Sequence, residues 1–438
     1  MTKKEKYNLA VWAIEHAVKH GAQHAGINIS NSRSSNLEVR NQKIDKLEQE
    51  IRNSLTIKLY VDNKYSAHST NRLTKSELSR FIEEAIAGTR YLTEDKFRSL
   101  PDPSLYYTNK LIDLETLDKG FSYHKTNEKI NLAFNLEKEV LGKDDRLISV
   151  SAGYYDSKIE RVMVTSNGFK GDSSNSLYSL DASVSVDGID SRPESYWGES
   201  AIFFKKLQNE GIGIKALTRA LNKIGQKKIA SAKMSMIIEN RQISRLFDPV
   251  ISALNGSAIQ QKNSFLNDKK GEKVFSGKLS VTDDPFIKSG RGSRLFDSEG
   301  LATKKRSIIE NGIINNYYID TYYGKKLSMD PTTGSTSNLT FDMGNKDLHS
   351  LIKEVERGIL VNNFNGGNCN GATGDFSYGI EGFLIEKGNL VHPVSEMNIT
   401  GNMKDLWSSI REAGNDVYTN SAWLTPSILF DEVNFSGI

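Results

Sequence analysis

The stretch Phe383-Leu384-Ile385-Glu386-Lys387-Gly388-Asn389-Leu390-Val391 reads as two apolar arms around a Lys-Gly turn. A two-residue loop ending in glycine suits a hairpin, because both turn residues need positive φ to follow the twist of the strands. Ile308-Ile309-Glu310-Asn311-Gly312-Ile313-Ile314 repeats the pattern upstream, with Asn-Gly at its centre. Ahead of both lie a short buried strand, Met236-Ile237-Ile238, and a helix from about Gln242 to Asn255, which Gly256 ends. Short strands joined by glycine turns fill the chain from about Ser235 onward. This last part is therefore expected to be a β-rich, curved or barrel-like sheet.

Working outward toward the N-terminus, the character changes to α+β. Ala10, Ile14, Ala17, Val18 and Gly21 share one helical face, and Gly21 can stop that helix. Leu55, Ile57, Leu59 and Val61 alternate as a strand does, and Asp62-Asn63-Lys64 turns the chain into Tyr65–His68. Thr74 and Glu77 form a capping box for a second helix that buries Leu78, Phe81, Ile82 and Ala85. Pro101-Asp102-Pro103 cannot continue a helix and reads as a linker. Beyond it come a helix ending near Leu141 and strand-like runs at Leu147–Tyr154, Arg161–Thr165 and Ser176–Val186. Asn167-Gly168 is a turn between the last two, and a helix follows from about Gly213 to Ile224. The predicted organisation is an α+β domain over 1–100, a central α+β domain over 101–230 and a β-rich C-terminal domain over 231–438.

The 438 residues exceed one ordinary hydrophobic core. With 37% hydrophobic and 25% charged residues the chain is expected to fold rather than stay disordered. The 57 basic and 54 acidic side chains leave a net charge of +3, which gives no electrostatic footprint for nucleic acid or an anionic membrane. No apolar run is long enough to span a bilayer, and Glu15, His16 and Lys19 interrupt what would be the core of an export signal. The one cysteine, Cys369, allows no internal disulfide, in keeping with a cytoplasmic location.

Residues that carry chemistry are sparse. A zinc hydrolase needs two or three histidines with carboxylates and a base. The seven histidines are His16, His20, His24, His68, His124, His349 and His392, and none lies in a His-Glu motif. His16 and His20, four apart on a helix, have ligand spacing. With no third ligand nearby, a solvated helix face is the preferred reading, although a site built from distant ligands stays open. No Gly-x-Ser-x-Gly elbow occurs. Cys369, in Asn365-Gly366-Gly367-Asn368-Cys369-Asn370-Gly371, is read as a small filler in a tight loop rather than a nucleophile, and no Gly-Lys-Ser/Thr ending makes that loop a phosphate cradle. Asp283-Asp284-Pro285, Asp297-Ser298-Glu299-Gly300 and Thr373-Gly374-Asp375 are read as acidic turns ahead of catalytic carboxylates.

Taken together, several segments resemble the TldD/PmbA family, also called modulators of DNA gyrase, and within it the PmbA/TldE branch. The resemblance rests on Leu254-Asn255-Gly256, Asp283-Asp284-Pro285, Phe296–Gly300, Ile308–Gly312 and above all Asn370-Gly371-Ala372-Thr373-Gly374-Asp375-Phe376-Ser377. Gly382-Phe383, Glu386, Gly388, Pro393-Val394 and Gly401-Asn402 extend it, and the N-terminal part is similar only loosely, at Gly21-Ala22 and Glu38-Val39-Arg40. The resemblance implies a cytoplasmic peptidase assembly that trims unstructured peptides. In it the TldD branch binds zinc through a His-Glu-x-x-x-His helix and a cysteine, and the PmbA/TldE branch lacks that motif. The corresponding positions here are Phe247, Asp248 and Ser252. Phe has no lone pair for a metal, Ser is a poor neutral ligand, and Asp248 is one methylene shorter than Glu. The resemblance thus implies no catalytic, cofactor-binding or metal-binding residue in this chain. Zinc is expected only in a TldD-like partner.

Three functions follow as expectations. The first is a non-catalytic subunit of a zinc peptidase, paired with a TldD-like subunit or with itself and holding an unstructured peptide, without direct nucleic-acid or membrane contact. The second is a regulatory binding protein acting on DNA gyrase or another protein. The third is an unrecognised carboxylate site at Asp284, Glu299 or Asp375.

Overall fold

The computed structural model describes residues 1–108, 112–188 and 190–437. The chain begins with helix α1 (Lys3–Lys19), opened by a complete capping box between Thr2 and Glu5. Strands β1 (His24–Arg40), β2 (Lys43–Val61) and β3 (Lys64–Thr70) follow, then α2 (Lys75–Thr89), capped by Thr74. Next come α3 (Thr126–Val140), β4 (Leu147–Thr165), β5 (Lys170–Val186), β6 (Glu194–Ala201) and α4 (Ile212–Leu221). The six strands form one antiparallel sheet, ordered β3-β2-β1-β4-β5-β6. The N-terminal and central units therefore share a continuous sheet, joined where β1 pairs with β4.

Strand parity decides which face the helices cover. Ile27, Ile29, Leu37 and Val39 of β1 lie opposite Val164, Val162, Tyr154 and Ala152 of β4, so all eight point to one face. α1 and α2 cover this face at one end of the strands, and α3 and α4 cover it at the other. Val18, placed on the buried face of α1 by its spacing, is instead 45% exposed, at the end of the helix just before Gly21 turns the chain at φ 106°.

Two expected strands, 147–154 and 161–165, are one continuous strand. The masking residue is Asp156, which sits at an inward position and is 1% exposed. Burying a lone carboxylate is costly, so it is neutralised and saturated. Lys129 Nζ lies 2.5 Å away, the Ser35 amide donates to one oxygen at 3.1 Å, and the Tyr154 hydroxyl donates to the other at 2.8 Å.

The C-terminal part opens with β7 (Ala232–Ile238), α5 (Ile243–Ala253) and α6 (Gly256–Gln260). It continues through β8 (Val281–Asp283), β9 (Arg306–Glu310), β10 (Ile313–Ile314), α7 (Thr321–Leu327), β11 (Leu339–Phe341) and α8 (Leu348–Lys353). The last elements are β12 (Arg357–Cys369), β13 (Asp375–Glu386), β14 (Asn389–Asn402), α9 (Met403–Ser408), β15 (Ile410–Ala413), β16 (Trp423–Leu424) and β17 (Ile428–Ser436). Both hairpins occur as read: Lys387 and Gly388, and Asn311 and Gly312, all have positive φ. The barrel expectation also holds. β14, β13, β12, β7 and β17 pair in that order, and β17 pairs back to β14, which closes a five-stranded ring. A smaller sheet, β10-β9-β8-β11-β16, packs into the same apolar core, and α5 contributes Ile243, Leu246, Phe247, Val250 and Ala253 to it. The fold is α+β, with α/β units followed by a β-rich barrel domain.

Candidate functional site

α5 carries the three positions that resemble a zinc motif. Leu246, Val250 and Leu254 are fully buried, as their shared face requires. Phe247 is not at the edge of that face but inside the core, at 0% exposure. Its ring meets Phe341 of β11 edge-on at 4.8 Å, Trp407 of α9 at 5.0 Å and Trp423 of β16 at 6.1 Å. Asp248 and Ser252 point the other way and are exposed. Pro249 stands inside the helix, where it removes one backbone donor. A zinc ion needs donors that converge on one point. Here one position has no donor and faces the core while the other two face solvent, so these residues do not fit the ion.

The outer face of α5 abuts the β12–β13 hairpin. Arg245 donates to the Gly367 carbonyl at 3.4 Å and lies 5.4 Å from the Tyr378 ring centre. Cys369 ends β12 beside them, partly buried against the core. Its thiol donates to the Asn370 carbonyl at 3.7 Å. Burial, helped by the Asp375 charge, pushes the thiol up to about 11, so in the metal-free chain it is protonated at neutral pH and weakly nucleophilic. The glycine-rich run satisfies its own polar groups. Asn370 Oδ1 accepts from the Ala372 and Thr373 amides, while Thr373 and Asn402 donate to Asp375.

The acidic segments likewise spend their oxygens on local structure. Asp283, 3% exposed, accepts from the Ser337 amide at 2.9 Å. Asp284 accepts from the Phe286 amide at 2.9 Å and pairs with Lys305 at 2.8 Å. Asp297 accepts from the Glu299 and Leu301 amides, and Glu299 accepts from the Thr321 amide at 2.9 Å. Burial raises the carboxyls of Asp297 and Glu299. Such bonds fix turns and a helix start.

A feature that no motif announced is a cleft of about 1520 Å³. The helix-free face of the six-stranded sheet forms one wall, with Asn28, Arg161, Met163 and Asn175; Arg161 and Met163 alternate with the buried Val162 and Val164. Gly290-Arg291-Gly292-Ser293-Arg294 and the segment around Tyr418 also line it. Small-molecule pockets hold roughly 300–1,000 Å³, so this cleft is larger than such a pocket. Its lining comes from segments far apart in the chain and includes Phe296, Asp297 and Ser298 of the acidic turn.

The histidines also need revision. His16 and His20 are brought to Glu83 of α2, a third potential ligand 67 residues from His16. Among the described residues this is the one group of three such side chains close enough to share a metal, and it lies on the N-terminal helices rather than on α5.

Three family models match in sequence order: PmbA/TldA metallopeptidase domain 1 over 25–88, the central domain over 121–224 and the C-terminal domain over 231–437. A Bacteroides thetaiotaomicron protein, described in its crystal structure as a candidate modulator of DNA gyrase, is 47% identical; the match covers 100% of both chains, with a TM-score of 0.98. Metalloprotease PmbA of Escherichia coli O157:H7 is 27% identical over 94% of this chain and 92% of its own. TldE from Thermococcus kodakarensis, at 20% identity, has the same fold, with a TM-score of 0.87 over 98% of this chain and 100% of that one. The chain belongs to the PmbA/TldD metallopeptidase family.

Proposed function

We propose that this chain is a non-catalytic, PmbA/TldE-type subunit of a zinc peptidase assembly that degrades or trims unstructured peptides. A TldD-like partner completes the peptidase and supplies the catalytic zinc and base; a homodimer of this chain would hold peptide without cleaving it. The observation that carries this reading is α5. Phe247 is locked among Phe341, Trp407 and Trp423, and Asp248 and Ser252 face away from it. The contribution left to this chain is binding and orientation, which lower a barrier by holding the reacting parts together. The cleft along the helix-free sheet face supports a peptide-holding role: its lining mixes apolar and polar groups, and the serine, asparagine and arginine side chains among them can bond a peptide backbone.

The test is hydrolysis of an unfolded peptide, with mass measurement of the assembly. The chain alone is expected to leave the peptide intact. A mixture with a TldD-like protein is expected to form a defined complex and cleave the peptide until a chelator is added. Chelator-sensitive cleavage by the purified chain alone would overturn the proposal. So would co-purification with gyrase subunits and no TldD-like chain, which would favour a regulatory role.

A further inference from the structure

We propose that His16, His20 and Glu83 form a divalent transition-metal site, separate from any peptidase chemistry, that bridges α1 and α2. His16 Nε2 lies 3.0 Å and His20 Nε2 3.6 Å from the same Glu83 oxygen. All three donor atoms fall within 4.8 Å of one another. Around a tetrahedral ion with bonds of about 2.0–2.1 Å, neighbouring donors stand roughly 3.4 Å apart. The two distances to Glu83 bracket that separation, and side-chain rotation within the 4.8 Å set would bring the third pair to it.

The second layer is arranged as metal sites require. His20 Nδ1 lies 2.8 Å from the His16 backbone carbonyl, which can only accept. Nδ1 therefore carries the proton, and the lone pair is left on Nε2, the atom aimed at Glu83. A backbone carbonyl fixing the tautomer and ring of a ligating histidine is a common outer-shell device. Ser79 donates to Glu83 Oε1 at 2.9 Å and fixes the carboxylate. The Trp12 ring stacks on the far side of His16 at 5.2 Å, which limits the imidazole's rotation.

Two imidazoles and one carboxylate suit Zn²⁺, Ni²⁺ or Cu²⁺, whereas Ca²⁺ and Mg²⁺ demand oxygen-rich shells. The side chains of His16, His20 and Glu83 are 15%, 34% and 47% exposed. An ion can therefore enter from solvent and keep water in its fourth position. Bound there, it ties together two helices that lie next to each other on the sheet.

The test is calorimetric titration of the full chain with ZnCl₂ and, separately, NiCl₂, with the melting temperature followed in parallel. Wild type is expected to bind one ion at this site and to melt higher as the metal concentration rises. Glu83→Gln and His20→Asn alter exposed side chains and leave the helix faces intact. Each is expected to weaken that binding by at least about tenfold and to abolish the melting shift. Trp12 emission is expected to change with Ni²⁺ in wild type and not in Glu83→Gln. Titrations of both variants that superimpose on wild type would overturn the site, whatever metal other histidines or Cys369 take up.

Discussion

Replacing Phe247 by alanine tests whether α5 is a packing element or a disabled metal helix waiting for its ligands. The ring is fully buried and meets three aromatic partners edge-on. Truncating a buried Phe costs about 3–5 kcal/mol, from lost transfer energy plus the cavity left behind. Here the walls of that cavity are Phe341 on β11, Trp407 on α9 and Trp423 on β16, each on its own element of the β-rich domain. Such walls collapse poorly, which places the loss in the upper half of that range, at about 4–5 kcal/mol. Phe247→Leu keeps most of the volume and forfeits mainly the aromatic pairing, worth about 0.5–1.5 kcal/mol per pair. It is expected to cost about 2 kcal/mol. Phe247→His places a polar ring with no hydrogen-bond partner in the same pocket and is expected to cost at least as much as leucine, whether or not zinc is present. The assay is urea denaturation followed by tryptophan emission, since Trp407 and Trp423 report on this region, with the midpoint and slope read separately. A loss below about 1 kcal/mol for Phe247→Ala would refute the packing argument. Zinc-dependent rescue of Phe247→His would refute the claim that the position faces away from any shared ligand point.

Two further predictions use other parts of the chain. Gly312 has φ +80°, and an added Cβ would stand 2.2 Å from the Phe275 carbonyl oxygen; Gly312→Ala is therefore expected to cost well over 1 kcal/mol in denaturant unfolding, beyond the usual ~1 kcal/mol for a left-handed residue. Cys369 has its thiol raised to about 11, so its alkylation rate should climb with pH to a midpoint near 11 rather than at the ordinary thiol value. Because the folded value is the higher one, any stability it contributes is present at neutral pH and is lost as pH rises through the folded value; a midpoint near neutrality would revive it as a nucleophile.

What was legible in the sequence follows the reach of each physical signal. The hairpins at Asn311-Gly312 and Lys387-Gly388 were readable because turn geometry is local and demands particular residues. Capping by Thr74 and the buried face of α5 were readable for the same reason. The continuity of β4 was not, because Asp156 puts a charge where the alternation calls for an apolar side chain. Its neutralisers, Lys129 and the Ser35 amide, come from other segments. Closure of the barrel was predictable as a class but not as a pairing, since β17 meets both β7 and β14, from opposite ends of the domain. The third ligand beside His16 and His20 was out of reach because α2 enters only when both helices settle on one sheet face. The cleft was least legible of all. Its lining joins the face that alternation assigns to solvent to distant loops, and the one marked segment among them, Phe296-Asp297-Ser298, reads as a turn.

The same distinction bears on why a chain without a zinc helix keeps one in place. A helix held by metal depends on ligands for its position, and chelation then loosens it. α5 depends on Ile243, Leu246, Phe247, Val250 and Ala253, all at 2% exposure or less. Its position is set by apolar area removed from water and by aromatic contacts, neither of which a chelator touches. The surface that α5 presents with β12 and β13, through Arg245, Asp248 and the Gly367 loop, is thus formed before any partner arrives. A preformed surface loses less entropy on association than one that must order itself. Chelator treatment of the isolated chain should therefore leave the tryptophan emission of the β-rich domain unchanged, even where it strips an ion from His16, His20 and Glu83. In a Trp12→Phe background, which removes the indole stacked on His16, a shift in emission on chelation would mean that α5 is held by something other than its core.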